Sequence, residues 1–133
     1  MRAGAVPGAV VEMSLRGDYV VAALRGELDV CTASDIVSSI MASTTPGSGI
    51  VVDLADLSFM DCGSLRELVS ARAKARLAGG DLMLACPQPI VLRLFFLTEM
   101  TSHWPVFASV EEAVSGSREA PQPGNAQPAW LAL

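Results

Sequence analysis

The chain has 133 residues, of which 51% are hydrophobic and 17% are charged, and its formal net charge at pH 7 is −5. This length and hydrophobic content predict one globular domain with a sizeable core and exclude an intrinsically disordered chain. The negative charge argues against a nucleic-acid partner, because nucleic acids select basic protein surfaces.

The first predicted elements are a hairpin and a helix. Residues 9–28 carry β-prone apolar side chains on both sides of a Gly17–Asp18 turn, which predicts two antiparallel strands. Residues 29–43 change to a helical spacing of apolar side chains, and residues 44–49 have a loop composition. The side chains with the helical spacing are Ile36, Val37, Ile40 and Met41.

A strand and a longer helix follow. Residues 50–54 form a continuous apolar run, which is typical of a strand that is buried on both faces. After a link over residues 55–61, residues 62–77 predict a helix whose cations gather in its last turns, where the helix dipole favours them. The glycines at positions 79–80 are expected to end that helix.

The last predicted elements are two strands and two helices. Residues 81–86 predict a short strand, and residues 87–100 predict a helix that begins at prolines. Residues 103–116 predict an edge strand and then a helix, which begins with a capping box formed by Ser109 and Glu112.

Strands alternate with helices along the chain, so the sequence predicts an α/β fold with a mixed, mostly parallel sheet flanked by about four helices. The predicted boundaries are a short N-terminal extension at 1–9, one domain at 10–115 and a flexible tail, rich in proline and glycine, at 116–133. The longest apolar run, residues 90–97, is far shorter than the roughly 20 residues of a spanning helix. No membrane insertion is therefore expected.

The stretch FMDCGSLREL, residues 59–68, combines several reactive side chains at a predicted helix start. Asp61 stands just before the helix, where its carboxylate can accept backbone N–H bonds. Gly63 and Ser64 fall in the first turn, where the outward N–H groups and the helix dipole favour a phosphate. The residues alone leave three alternatives: an ordinary cap, a phosphate-accepting turn, or a helix start that a partner protein binds.

A thiol enzyme is the catalytic alternative, because Cys62 beside a helix N-terminus could act as an activated nucleophile. The only histidine, His103, lies in an aromatic, proline-containing stretch where a packed or solvated imidazole is favoured over a catalytic base. Asp53 and Asp56 could suggest Mg²⁺, but no phosphate-binding loop accompanies them. No catalytic residue, metal or cofactor is therefore expected.

The three cysteines, Cys31, Cys62 and Cys86, are widely spaced and lack a CxxC pattern. With a single histidine in the chain, this spacing predicts neither a disulfide framework nor a zinc site. Free thiols suit a reducing compartment, so a cytoplasmic location is expected.

Two stretches of the chain resemble the STAS family, which comprises the bacterial anti-sigma factor antagonists and their relatives. The stretch LRGELDVCTA at 24–33 is similar to the family segment in which a Gly-Glu-Leu-Asp run precedes the first helix. The second stretch contains the family's helix start, FMD followed by SL, within VVDLADLSFMDCGSLRELVSARAKARLAGGDLMLACPQPIVLRLFFLTEM, and PVFASVEEAV comes after it. The likeness runs from about residue 10 to 115 and implies a single STAS-like domain.

The resemblance implies a regulatory module that is not an enzyme. In the family, the antagonist binds an anti-sigma factor, often one of serine-kinase fold, by the start of the second helix, and so regulates sigma-factor-dependent transcription. The kinase phosphorylates a serine or threonine at the second position after the motif aspartate, and the complex dissociates. A helix N-terminus can accept the added charge, whereas a docked protein face has to desolvate it.

The chain departs from the family motif at the phosphate acceptor. The family has an aspartate, a small residue, a serine or threonine and then a glycine, whereas this chain reads Asp61, Cys62, Gly63, Ser64. The acceptor position is therefore Gly63, which has no hydroxyl. Either Ser64 is the phosphorylation candidate, or the switch is lost and the domain binds constitutively. One residue of helix rotates a side chain by about 100°, so a shifted hydroxyl faces a different way, which favours loss.

The resemblance also implies a wider partner-binding surface. Asp29 matches the family's aspartate after the second strand, so its loop is expected beside the start of the second helix; a loop or capping role is the alternative. The helix that contains Phe95 and Phe96 is apolar nearly all round, so these residues are expected to make a homodimer or partner contact. The expected partner-binding residues are Asp29, Met60 (with core packing as its alternative), Asp61, Cys62, Gly63 and Ser64.

Two other functions stand beside the anti-sigma factor antagonist. One is a STAS subunit of another assembly, such as a stress-sensing or lipid-transport complex. The other, which the residues favour less, is a small enzyme that depends on Cys62.

Overall fold

The fold is a six-stranded mixed β-sheet flanked by helices, as the sequence predicts. The computed structural model describes residues 1–116, and four α-helices and one 3₁₀ turn lie within that range. The strands are β1 (Arg2–Val6), β2 (Ala9–Arg16), β3 (Tyr19–Leu28), β4 (Gly49–Met60), β5 (Asp81–Ala85) and β6 (Val106–Phe107). The helices are α1 (Ala33–Ala42), α2 (Cys62–Leu77), α3 (Pro89–Leu97) and α4 (Val110–Gly116), and the 3₁₀ turn is Met100–Ser102.

The strands lie side by side in chain order. β1, β2 and β3 pair antiparallel, whereas β3, β4, β5 and β6 pair parallel. Each connection between neighbouring parallel strands contains a helix. These connections run in the same direction across the sheet and have the same hand, so α1, α2 and α3 lie on the same face of the sheet. The carboxyl ends of β3, β4 and β5 therefore share one edge, and α1, α2 and α3 all begin there.

Two hydrophobic clusters hold the layers together. The larger cluster lies between the sheet and α1–α3, and the smaller one lies beneath α4 on the opposite face. The central strands β4 and β5 contribute to both clusters, which explains the continuous apolar run that predicts β4. Members of the larger cluster include Leu24, Ile36, Val52, Leu68 and Leu84, and the smaller one includes Val21, Val51, Met83, Val110 and Ala113.

β4 is longer than the sequence predicts, because residues 55–60 continue the strand instead of forming a link. Its pairing with β3 is irregular at two points, after Ala23 and after Gly26, where β4 carries an extra residue. Each irregularity breaks the two-residue alternation of a regular strand. The buried side chains in this half of β4 recur every third residue, at Leu54, Leu57 and Met60.

The predicted N-terminal extension contains a strand that the sequence did not predict. β1 pairs antiparallel with β2 and forms one edge of the sheet, and α1 packs against it. A Cβ atom at Gly4 would collide with the Ser39 side chain, so glycine allows α1 to approach closely. Short runs of small residues give little strand signal, since they show no apolar–polar alternation.

One half of the predicted capping box is present at the start of α4, where the Ser109 hydroxyl accepts a hydrogen bond from the Glu112 backbone N–H at 3.0 Å. The predicted tail lies outside the described residues, except for Gly116, which ends α4. Within residues 1–116, no helix combines the length and the apolar character that crossing a membrane requires.

Candidate functional site

Two segments meet at the carboxyl edge of the parallel strands. Residues 29–32 follow β3 and lead into α1, and residues 61–64 follow β4 and start α2. We call these two segments together the tip. The resemblance predicts that the first segment lies beside the start of α2, and the hydrogen bond from the Val30 N–H to the Asp61 carboxylate confirms it.

Asp61 joins the two segments of the tip. It is the N-cap of α2, and its Oδ1 accepts hydrogen bonds from the backbone N–H and from the hydroxyl of Ser64, both at 2.8 Å. Its Oδ2 accepts the Val30 backbone N–H at 2.9 Å. The predicted cap is confirmed, and the same carboxylate also holds the neighbouring loop in place.

The hydrogen bonds at Asp61 favour its charged form. Burial alone would raise its pKa, but the Ser64 N–H, the Ser64 hydroxyl and the Val30 N–H all donate to the carboxylate. Together they hold the pKa of Asp61 below its usual value of 3.8. The tip therefore carries a fixed anion at its centre at neutral pH.

Asp29 orders the first segment of the tip. Its Oδ1 accepts the backbone N–H groups of Cys31 at 2.9 Å and Thr32 at 3.0 Å, together with the Thr32 hydroxyl at 3.1 Å. This is the local turn chemistry typical of aspartate. Asp29 itself is exposed, so a loop role and a partner-facing role are compatible.

Gly63, the residue at the acceptor position, lies directly against Val30. A Cβ atom built on Gly63 would lie 2.6 Å from Cγ2 and 2.7 Å from Cβ of Val30. Such distances are shorter than van der Waals contact, so any side chain at position 63 would have to displace Val30. Because Val30 occupies this space, no hydroxyl-bearing residue fits at the acceptor position without a shift of the loop.

Ser64 is the phosphorylation candidate that the sequence offers, but its side chain is 0% exposed. Its hydroxyl points inward at the Asp61 carboxylate, to which it donates a hydrogen bond. A kinase could reach this oxygen only if the first turn of α2 opened. The geometry therefore disfavours a moved acceptor, since one residue of helical rotation turns this hydroxyl into the protein.

The exposed surface of the tip differs in part from the expected one. Met60 packs in the core, which confirms the alternative role expected for it and corrects the partner-facing one, because the irregular pairing of β4 turns it inward. Cys62 is exposed, as is Cys31 on the facing segment. Sequence reasoning missed Val30, which is 62% exposed, and Phe59, whose ring is partly exposed. Their exposure follows from tertiary packing, and no local pattern marks it.

The thiol-enzyme alternative has no histidine near Cys62, because the chain's one histidine lies toward the other end of α2. The His103 carbonyl accepts a hydrogen bond from Arg72 Nη1, and Arg72 comes ten residues after Cys62 in α2. At 1.5 Å per residue, that separation is about 15 Å along the helix. Among residues 1–116, no group of three or more histidine, cysteine or acidic side chains could hold a metal ion, and Asp53 instead accepts the Ala55 N–H.

The expected contact through α3 needs a correction. Phe95 is 0% exposed and lies in the larger core cluster, so it cannot touch another protein. Phe96 is half-buried, while Ile90 and Leu97 are exposed on the outer side of the helix. A homodimer or partner contact through Phe96 stays a prediction.

The chain matches the family model described as STAS domain over residues 11–113. The anti-sigma-F factor antagonist RsfA of Mycobacterium tuberculosis is 30% identical over 96 residues, which cover 70% of this chain and 75% of RsfA. A second M. tuberculosis protein, Rv2638, is 28% identical over 86 residues, which cover 65% of this chain. The aligned region spans 58% of Rv2638, less than two thirds of its length.

The fold is similar to that of solved anti-sigma factor antagonists. The crystal structure of the antagonist from Mycobacterium paratuberculosis superposes with a TM-score of 0.71. That superposition covers 86% of this chain and 97% of the other at 20% sequence identity, so this likeness shows the fold alone.

Proposed function

The chain belongs to the STAS domain family, and on that premise we propose that it is an anti-sigma factor antagonist. It binds an anti-sigma factor of serine-kinase fold through the tip, and in this way it regulates sigma-factor-dependent transcription in the cytoplasm. The name of its relative RsfA supports the class of partner.

The coupling of the two tip segments is the observation that carries this proposal. Asp61 binds Ser64 at the start of α2 and Val30 in the loop after β3, so both segments form one ordered surface. Its outward side chains come from two parts of the sequence, and together they offer a continuous surface to a partner. The Asp61 carboxylate beside Cys62 is already engaged by Ser64 and Val30, and the chain's one histidine lies toward the other end of α2, which supports binding over turnover.

The regulation of this antagonist differs from the usual phosphoserine switch. The acceptor position, Gly63, has no hydroxyl, and Val30 fills the space that a larger residue would need. The next hydroxyl, on Ser64, is buried and donates to Asp61. The chain therefore binds its anti-sigma factor constitutively, without release by phosphorylation.

Titration calorimetry against each anti-sigma factor encoded in the same genome tests the binding. We expect one of them to form a 1:1 complex with the full chain. Absence of a complex with all of them would overturn the antagonist proposal.

Intact-mass spectrometry of that complex after incubation with ATP tests the lost switch. The expected result is an unchanged mass and a complex that persists. A gain of one phosphate that disappears in Ser64→Ala would show that the acceptor has moved. That outcome would contradict constitutive binding and leave the antagonist role intact.

A further inference from the structure

Val30 is an apolar side chain that is both exposed and held in place. The residue is 62% exposed, yet its backbone N–H is fixed by Asp61 Oδ2 at 2.9 Å. The next two residues are fixed in turn by Asp29, which accepts their N–H groups. A preorganised side chain loses little conformational freedom on binding, so more of its contact energy contributes to affinity.

The lack of a side chain at Gly63 allows Val30 to take this position. A Cβ atom there would meet Val30 Cγ2 at 2.6 Å, so the glycine and the valine fit each other as a pair. The side chain of Val30 thus lies above the first turn of α2, over the position where the family has its acceptor. Phe59, partly exposed at the end of β4, adds apolar surface at the same edge.

The two segments that carry the tip and the strand ends before it are acidic. Residues 25–35 and 55–67, which include the tip and the ends of β3 and β4, contain six acidic side chains and two cations, Arg25 and Arg66. The acidic residues are Glu27, Asp29, Asp35, Asp56, Asp61 and Glu67. An apolar centre with a negative border is complementary to an apolar pocket with a positive border.

We propose that Val30, seated on Gly63, is the apolar anchor of the tip, and that the anti-sigma factor receives it in an apolar pocket bordered by lysine or arginine. This inference rests on the proposed function and specifies the partner's surface. It also gives the missing acceptor a positive role, because Gly63 is the residue that admits the anchor.

Binding of the full chain to the anti-sigma factor identified by calorimetry tests the anchor. Val30→Ala removes two methyl groups. Because burying each methylene-sized group contributes about 0.8 kcal/mol to binding, the substitution is expected to raise Kd about tenfold. Val30→Thr keeps the shape against Gly63 but places a hydroxyl in the pocket, so it is expected to raise Kd by a similar factor. Leu77→Ala is the matched control, since Leu77 is 89% exposed at the opposite end of α2, and its Kd is expected to stay within about twofold.

The positive border of the pocket is tested by association rates. Asp56→Asn is expected to slow association about twofold, whereas Asp18→Asn, in the turn between β2 and β3, is expected to leave it unchanged. Raising the salt concentration from about 50 mM to about 300 mM should slow the association of the wild-type protein with the anti-sigma factor.

The two proposals fail in different ways. If the wild-type chain binds and Val30→Ala matches Leu77→Ala, the anchor is wrong and the antagonist role stands. If neither Asp56→Asn nor added salt changes the association rate, the proposed positive border of the pocket is wrong. If the wild-type chain binds no anti-sigma factor, both proposals are overturned.

Discussion

Asp61 is the side chain on which the candidate site depends most at the scale of single residues. It satisfies a backbone N–H at the start of α2, the buried hydroxyl of Ser64 and the N–H of Val30. Its removal would leave a buried hydroxyl and two backbone groups without this acceptor. An unsatisfied buried polar group costs free energy, as does a lost helix cap.

Asp61→Ala is expected to lower the free energy of unfolding by about 2 kcal/mol, from the lost cap and the lost bond to Val30. Chemical denaturation with urea measures this change. Asp56→Ala is the control, because Asp56 is exposed on the adjoining strand, and it is expected to change stability by less than about 0.5 kcal/mol. Equal effects of the two substitutions would mean that Asp61 does not organise the tip.

The depressed pKa of Asp61 predicts a pH dependence of stability. Because the folded-state pKa lies below 3.8, the stabilisation by the carboxylate is fully present above pH 3.8. It is lost as the pH falls through the folded-state pKa. The difference in unfolding free energy between the wild type and Asp61→Asn should therefore narrow as the pH is lowered from about 6 to about 2.5. A difference that stayed constant would contradict the hydrogen bonding described for this carboxylate.

The sequence predicts single residues well where the cause is local. The cap at Asp61 and the cap at Ser109 depend on positions three residues away, and both are confirmed. The inward hydroxyl of Ser64 and the burial of Met60 depend on how α2 and β4 pack in the sheet. Since that packing is tertiary, the candidate surface could be located from sequence but its accessible atoms could not.

At the scale of elements, the contact between the loop after β3 and the start of α2 is tested by a pair of substitutions. Gly63→Ala would ordinarily stabilise a helix, since alanine has the better helix propensity. Here it is expected to destabilise the protein by about 1 kcal/mol, because the new Cβ overlaps Val30. In a Val30→Gly background, where the facing Cβ is absent, Gly63→Ala is expected to be neutral or stabilising.

Thermal or urea unfolding of the four proteins in this cycle measures the coupling. A matched control is Gly116→Ala, at the end of α4, where an added Cβ would meet the Phe107 ring at 3.0 Å and no part of the tip. If Gly63→Ala stabilises the wild-type protein, the loop yields easily and the proposed fit between Val30 and Gly63 is wrong.

The elements themselves differ in how far their sequences define them. α2 occupies the predicted residues 62–77, since an aspartate cap, late cations and a glycine stop are all local signals. The second half of β4 is not predicted, because its irregular pairing with β3 replaces the alternation of buried and exposed side chains with a three-residue spacing. β1 escapes because its small residues carry no period and gain their structure by pairing with β2.

At the scale of the whole molecule, the fold presents the tip from a rigid base. β3 and β4, which precede the two tip segments, pair side by side in the sheet, and the helices that follow pack against the larger core cluster. Binding energy can therefore be gained at the tip without reordering the domain. The His103 region and the glycines at 79–80 lie toward the opposite end of α2, away from the proposed contact.

Hydrogen exchange of the full chain, with and without its anti-sigma factor, is the most direct test of docking through the tip. We expect added protection of the backbone amides of residues 29–32 and 61–66, with little change at residues 47–49 and 79–81 on the opposite edge of the sheet. Protection concentrated at that opposite edge or along the outer side of α3, with the tip unchanged, would contradict docking through the start of α2.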